Sequence, residues 1–169
     1  MSASLDDRLL LLARTRGHTP TLDRAVAAFS KTGEHGGCWL ALGSAGALAD
    51  GRRRSAWLRA AGTVAASYAI NTALKFAIRR PRPQLPGLPP LTSTLTALSL
   101  PSAHATTSFT AAGVYGALIP AAPLYAAAVL LAISRPYLGV HYPSDVAAGA
   151  LLGSALAFGA RRAGVAGCR

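Results

Sequence analysis

The chain has 169 residues, 51% of them hydrophobic and only 14% charged, with a mean hydropathy of +0.35. Soluble domains carry about a quarter charged residues, so this balance fits an integral membrane protein better than a soluble one, and the length fits one domain spanning 1–169. The net charge of +11, from 17 Lys+Arg against 6 Asp+Glu, suits an anionic membrane surface or an anionic substrate. Nucleic acid is excluded as a partner, because most arginines flank apolar segments and no aromatic–basic interleaving occurs.

Cys38 and Cys168 form neither a disulfide framework nor a metal site. The N-terminus lacks the basic start, apolar centre and small-residue cleavage site of a signal peptide, so targeting is expected to reside in the membrane segments.

Residues 4–16 predict a short amphipathic helix. Ser4 caps it, Asp6 and Asp7 fill its first turn, and Gly17 ends it. With Leu5, Leu9 and Leu12 on one side, it is expected to lie in the membrane interface or pack on the bundle. A second short helix is predicted from a Thr21 cap through Phe29, stopping near Gly33. Residues 1–35 thus form interfacial helices, in whose loops His18 and His35 are read as solvated. Residues 36–160 form the transmembrane core.

From Gly36 to Ala49 the chain is apolar but shorter than the roughly 20 residues that span a bilayer, so it is expected to borrow residues upstream. A basic turn at Asp50–Ser55 leads into a helix over 56–78, apolar except for Asn71 and Lys75. Residues 79–100 hold five of the eleven prolines and form the one long loop. Pro101 to Ile133 reads as two apolar helices broken by Pro120 and Pro123. A loop over Ser134–His141 follows. Pro143 starts the last helix, which runs from about Ser144 to Ala160. The fold class is therefore all-α: a polytopic membrane helical bundle of about five transmembrane helices plus the N-terminal interfacial ones. Gly149 and Gly153 on the last helix permit close helix approach within the bundle, with a homodimer contact as the alternative.

Three polar clusters interrupt the apolar pattern: Lys75 with Arg82, Ser102 with His104, and Ser134, Arg135, His141 and Asp145. Alternating five spans brings all three to one membrane face. Ionisable groups in such a setting mark function.

The chemistry they suit is phosphate handling. Lys75, Arg82 and Arg135 offer fixed positive donors to phosphate oxygens. Ser102 lies at a helix start, where free backbone N–H groups favour an anion. A neutral imidazole can attack phosphorus, and a second, protonated one can hand a proton to the departing oxygen. Asp145, four residues after His141, can hold that ring in one tautomer. No cluster has metal-ligand spacing, and no metal or other cofactor is expected.

Lys75-x6-Arg82-Pro83, Pro101-Ser102-Ala103-His104 and Ser134-Arg135-x5-His141-x3-Asp145 resemble the three signature motifs of the type 2 phosphatidic acid phosphatase (PAP2) superfamily, as found in a small bacterial membrane member. The motifs fall within residues 75–83, 101–104 and 134–145, in the family's order. The resemblance implies that His141 is the nucleophile forming a phosphohistidine, that Asp145 orients it, and that His104 protonates the leaving group. It also implies that Lys75, Arg82, Ser102, the Ala103 backbone and Arg135 bind the phosphoryl oxygens. Ser134 is read as support, and Arg79 and Arg80 as interfacial charges. The family's second motif has glycine where this chain has Ala103, whose side chain resists positive φ.

A phosphorylated lipid held at the bilayer rim is the implied substrate. A polyprenyl carrier is favoured, either undecaprenyl diphosphate or a decaprenyl-phosphoryl sugar phosphate, with Leu85, Leu88, Leu91, Leu95 and Leu98 of the long loop either bracing its tail or anchoring the loop. Phosphatidylglycerophosphate or phosphatidate is the alternative. The vanadium-dependent haloperoxidases of the same superfamily are soluble and much longer. A catalytically silent scaffold would not need both histidines.

Arg52, Arg53, Arg54, Arg59, Arg161, Arg162 and Arg169 lie opposite the catalytic face and predict an extracytoplasmic active site in the cell membrane. Arg8, Arg14, Arg16, Arg24 and Lys31 lie on the catalytic side and oppose that orientation.

Overall fold

The computed structural model describes residues 4–165; the readings of Cys168 and Arg169 fall outside them. Seven α-helices follow one another: α1 (Leu5–Thr15), α2 (Pro20–Thr32), α3 (Gly37–Ala49), α4 (Arg54–Ile78), α5 (Ala103–Tyr115), α6 (Ala121–Tyr137) and α7 (Pro143–Arg162). Among the described residues there is no strand, only an isolated bridge between Pro81 and Leu98.

Local chemistry sets the helix ends. Ser4 and Asp7 form a reciprocal capping box at the start of α1, and Gly17 beyond its end adopts φ +73°. For α2 the cap is Thr19 rather than Thr21: Thr19 accepts from the Leu22 amide, and Pro20 occupies the first helical position. A proline there lacks only an N–H that would have gone unpaired anyway.

The expected upstream extension of α3 does not occur. His35 and Gly36 turn the chain at φ 54° and 72°, so α3 starts at Gly37. The loop expected over Ser134–His141 is helical in its first half, since α6 runs to Tyr137. Pro136 lies in the last turn of α6, where the ring takes one N–H out of the helical ladder.

α5 is the central helix, packed against α4, α6 and α7. Its run of Ala, Thr, Ser and Gly leaves little side-chain bulk, and all of its residues but Ala103 and Phe109 are buried. Gly149 and Gly153 of α7 face it. A Cβ at Gly149 would come within 2.6 Å of the Ser102 carbonyl oxygen, and one at Gly153 would strike the Thr106 carbonyl. These small residues thus serve the α5–α7 contact inside the bundle. Trp39, Trp57, Val64, Tyr115, Leu124 and Leu131 build the apolar core. Its aromatic polar tips are satisfied: Trp39 Nε1 donates to Ser108 Oγ at 2.8 Å and the Tyr115 hydroxyl to the Trp39 carbonyl at 2.9 Å.

Helices α3 to α7 occupy the places of the five expected spans. Among the described residues, however, no helix is both long and apolar enough to cross a membrane. α3 and α5 have 13 residues each, and α4 and α7, at 25 and 20, are diluted by polar and small residues.

The N-terminal helices pack on the bundle, α1 against α6 and α7 and α2 against α6. Arg14 anchors α1, donating to the Tyr137 carbonyl at 3.2 Å and the Pro89 carbonyl at 2.7 Å. Gly139, at φ +77°, makes room for that guanidinium, which a Cβ would approach to 2.8 Å. Leu5, Leu9, Leu11 and Leu12 stay exposed on the outer side. His18 is not solvated as expected. Its ring stacks on Tyr137 and is held between Asp23 and the Ala13 carbonyl at 2.8 and 2.9 Å.

Candidate active site

All three polar clusters meet at one end of the bundle. Lys75 ends a buried polar stripe on α4, Ser67–Asn71–Lys75, whose spacing of four keeps one face turned inward. Asn71 Nδ2 donates to the Pro101 carbonyl at 3.2 Å and to Thr106 Oγ1 at 2.9 Å, joining this stripe to the start of α5. Lys75 Nζ donates to the Leu98 carbonyl at 3.3 Å.

The long loop folds back on itself, with Arg82 N donating to the Ala97 carbonyl and Ser99 N to that of Arg80. This fixes Arg82, whose guanidinium donates to the Thr96 carbonyl at 2.7 Å and the Val140 carbonyl at 2.6 Å. Burial draws the Arg82 pKa down to about 10, against the pull of Asp145, and the group stays cationic at neutral pH.

His141 is buried beside it. Arg82 NH1 lies 3.1 Å from His141 Nε2. A guanidinium can only donate, so Nε2 is the bare nitrogen and the ring proton sits on Nδ1. Nδ1 faces Asp145 Oδ2 at 3.5 Å, within ion-pair reach but longer than a hydrogen bond, which leaves Nδ1 without a hydrogen-bond partner. Such catalytic contacts tighten when substrate binds. Burial first, and then the charges of Arg82, Arg135 and Lys75, hold the His141 pKa well below its usual value. The imidazole is therefore neutral, with its lone pair aimed at the cations.

His104 lies in the first turn of α5 and points across to α2, where its Nε2 donates to the Ser30 carbonyl at 2.9 Å. Gly33 permits this approach, since a Cβ there would come within 2.9 Å of the ring. That carbonyl belongs to the last turn of α2 and holds the Nε2 proton of His104 in place. Arg135 NH1 donates to Ser30 Oγ at 2.7 Å, and Ser134 Oγ lies 2.9 Å from the same hydroxyl. Ser134 thus reaches Arg135 through Ser30.

Lys75, Arg82, Ala103, His104, Arg135 and His141 line one cavity of about 110 Å³. Ser102 caps α5 without lining the cavity. It is buried, and its hydroxyl is unpartnered, as is Arg135 Nε. Unsatisfied buried donors beside cations are what a phosphate oxygen would satisfy. Ala103 begins α5 in helical conformation, and among the described residues only His35 and Arg79 are non-glycine residues at positive φ. The glycine-to-alanine departure therefore meets no backbone conflict. No group of three His, Cys, Asp or Glu side chains that could hold a metal occurs among the described residues.

Two features were not legible in the sequence. Ser30, on α2, joins Arg135, Ser134 and His104, and nothing in its surroundings marks it. Arg80 is not an interfacial charge: its NH1 donates to Asp145 Oδ1 at 2.8 Å. The cation paired with Asp145 is thus Arg80. Arg79 does face solvent, donating to the Phe76 carbonyl of its own helix.

Comparison with known proteins agrees with this architecture. The PAP2 superfamily matches residues 56–165. The decaprenylphosphoryl-5-phosphoribose phosphatase of Mycobacterium tuberculosis is 41% identical over 155 residues, covering 91% of this chain and 81% of that one. The enzyme of the same name from Mycolicibacterium smegmatis is 41% identical over 131 residues, 77% of this chain and 72% of its own. Among solved structures, Aquifex aeolicus LpxE superposes with a TM-score of 0.78 at 25% identity, over 95% of this chain and 97% of that one. A transmembrane PAP2-type phosphatidylglycerolphosphate phosphatase from Bacillus subtilis gives 0.74 at 23%, over 97% and 86%. With the three motifs gathered on one set of helix ends in this fold, the chain belongs to the PAP2 superfamily and is a phosphatase of that family.

Proposed function

We propose that the chain removes the terminal phosphate monoester from a polyprenyl-phosphoryl pentose phosphate, acting as one membrane-embedded domain. The observation that carries the chemistry is the bare Nε2 of a buried, neutral His141, set against three cations in one cavity. Nε2 attacks phosphorus while Lys75, Arg82 and Arg135 take up the charge on the phosphoryl oxygens. The Ala103 amide completes that cradle, with Ser102 behind it at the start of α5.

The bond from phosphorus to the sugar oxygen breaks. Its electron pair stays on that oxygen, which takes a proton from His104. Since His104 Nε2 is engaged with the Ser30 carbonyl, the transferred proton rides on Nδ1. Water then attacks the phosphohistidine, returns its proton to His104 and frees phosphate. Asp145 stabilises the charge on the His141 ring while the covalent bond lasts.

The head group is read from the cavity mouth, where Glu34, His35, Tyr68, Thr72, Ser93 and Thr94 offer hydroxyls, an imidazole and one carboxylate. Sugar hydroxyls suit such a rim. A diphosphate would set its second phosphate against Glu34, which disfavours the undecaprenyl diphosphate reading. The 41% identical mycobacterial enzymes carry a sugar phosphate of this kind in their name. Leu95, 81% exposed, and Phe76 stand at the same mouth and are placed to meet the lipid tail.

Membrane insertion of α3 to α7 as a group is supported by outward Leu48, Leu58, Ile70, Val129, Leu130, Leu151 and Phe158, and by the fold shared with a transmembrane phosphatase. The arginines of the 52–59 turn and of the end of α7 support an extracytoplasmic active site. Arg14, used internally, no longer counts against it. Single-cysteine labelling in whole cells at exposed Gly51 and at Leu95 tests this: labelling at 95 and protection at 51 are expected, and the reverse pattern refutes the orientation.

The decisive assay is phosphate release by purified protein in detergent. The panel comprises prenyl-phosphoryl ribose phosphate, prenyl diphosphate, phosphatidylglycerophosphate and phosphatidate, with and without EDTA. The ribose phosphate should give the highest kcat/KM, unaffected by EDTA. A higher kcat/KM for any other member overturns the head-group reading.

A further inference from the structure

The catalytic end contains a chain of ion pairs that the three motifs do not account for. Arg80 stands outside the motif positions, yet its guanidinium is the centre of a half-buried junction between three elements. NH1 donates to Asp145 Oδ1 at 2.8 Å and to Ser144 Oγ at 2.7 Å. NH2 donates to Asp6 Oδ2, from α1, at 2.8 Å. The guanidinium carbon also sits 4.2 Å from the centroid of the Tyr142 ring, which closes one face of the fork.

Asp6 is bound on its other side too. Its Oδ1 accepts from the Ser144 amide at 3.0 Å, and its Oδ2 from the Ser144 hydroxyl. Ser144 is the second residue of α7, so Asp6 lies as an anion on a free amide of that helix N-terminus. Burial opposes ionisation of Asp6, but the bonds from Arg80 and Ser144 outweigh it and hold the carboxyl below its usual range.

The geometry divides the two oxygens of Asp145. Oδ1 is engaged by Arg80. Oδ2 accepts from the Tyr142 amide at 2.8 Å and faces His141 Nδ1. With Arg80 on Oδ1 and the Tyr142 amide on Oδ2, rotation of the carboxylate would break both bonds, so Oδ2 stays presented to the imidazole. We propose that Arg80 and Asp6 form a clamp, anchored on α1, that fixes Asp145 in the orientation His141 needs, making both positioning residues for the phosphatase reaction. This rests on the roles given above to His141 and Asp145.

α1 is then more than an amphipathic attachment. Its capping box sets where the helix begins, Arg14 fixes its far end to the 89 and 137 carbonyls, and Asp6 is thereby held over α7. The clamp touches neither the cavity nor the phosphate, so it acts on turnover rather than on binding.

The test uses the full-length chain in detergent with farnesyl-phosphoryl ribose 5-phosphate as probe, and thermal unfolding as a check on folding. Because each bond of the clamp is charge-assisted, Arg80→Gln should lower kcat about tenfold with KM within about twofold, and Asp6→Asn should lower it about threefold. Arg80→Lys should recover part of the loss, which mere disruption of packing would not allow. In an Asp145→Asn background, adding Arg80→Gln should cost nothing further, since residues acting through one group are not additive.

Wild-type kcat in Arg80→Gln, or a loss that multiplies with that of Asp145→Asn, overturns the clamp. If Arg80→Gln fails to fold, Asp6→Asn decides alone, and an unchanged kcat there overturns it. Full turnover in His141→Ala or Asp145→Asn would instead overturn the reading of the site itself, a separate failure visible in the same assay.

Discussion

Each end of the bundle carries an aspartate–arginine pair, and the two pairs do different work. At the far end Asp50 receives Arg53 Nε at 2.5 Å across three residues, with side chains 25% and 39% exposed. Asp50 also caps the turn before α4. At the catalytic end Arg80 meets an Asp145 that is 0% exposed, across 65 residues of chain. The first pair closes a turn that water could solvate equally well, which is why such pairs contribute little. The second holds a carboxylate that has no water to turn to, and breaking such a pair leaves an uncompensated charge. The same two side chains are a surface detail in one place and a constraint on chemistry in the other. Burial and sequence separation make the difference.

The sharpest test of that contrast is at the catalytic end itself. His141→Ala should abolish turnover while leaving the fold intact, because the other buried imidazole of the cavity, His104, has its Nε2 engaged by the Ser30 carbonyl and cannot replace the attacking nitrogen. Rapid-quench trapping should then find no phosphoenzyme. Retained turnover would refute the covalent route. Next in size, Arg135→Ala should lower kcat by about 10²–10³, the usual loss when one preorganised donor to a developing charge is removed. Steady-state kinetics on the lipid substrate reads this directly, and a change in KM alone would make Arg135 a binding group only.

A pH profile sharpens it further. His141 is held neutral by burial and then by Arg82, Arg135 and Lys75, so its protonation should not limit wild-type kcat/KM until well below pH 6.5. Removing a neighbouring cation raises an imidazole pKa. Arg82→Gln should therefore move the acidic limb to higher pH, on top of its loss of rate. The substrate's own ionisation, near pH 6, is common to both profiles and cancels in the comparison. A limb that stays in place would show that Arg82 does not set the charge state of His141.

The same contrast explains what the sequence could and could not tell. Lys75, Arg82, His104, Arg135, His141 and Asp145 were legible because phosphate chemistry restricts residue types, and counting helices brought their positions to one end. The cap at Thr19 was also written in the chain, in the proline that follows it, and was missed in favour of Thr21. Ser30 and Arg80 carried no such mark. Ser30 reaches Arg135 across 105 residues, and a serine in the last turn of an amphipathic helix has no pattern that distinguishes it from a surface residue. Arg80 sits in a basic run beside an apolar helix, where an interfacial charge is the default reading. Only the path of the 79–100 loop, folded back through the Pro81–Leu98 bridge, brings it to Asp145.

Ser30→Ala, milder than the changes above, separates the two halves of the site. It deletes one charge-assisted bond to Arg135, worth about 1.5–3 kcal/mol, so kcat should fall about tenfold or somewhat more. The backbone carbonyl that binds His104 remains. The leaving-group proton transfer should therefore be untouched, and the loss relative to wild type should be the same for a substrate with an activated leaving group. A larger dependence on the leaving group would mean that the hydroxyl also positions His104.

The smallest effect belongs to the far end. Arg53→Gln removes the ion pair with Asp50 and the bond from Arg53 NH1 to the Leu118 carbonyl at 2.9 Å. Asp50 keeps the Arg53 backbone amide at 3.3 Å and remains a cap, because a cap needs the oxygen and not the guanidinium. kcat and KM should match wild type, with any shift in unfolding temperature smaller than that of Arg80→Gln in the same detergent. If Arg53→Gln slowed turnover as much as Arg80→Gln, the two ends would be coupled through α4. The catalytic end would then owe its precision to the rigidity of the whole bundle rather than to the clamp on Asp145.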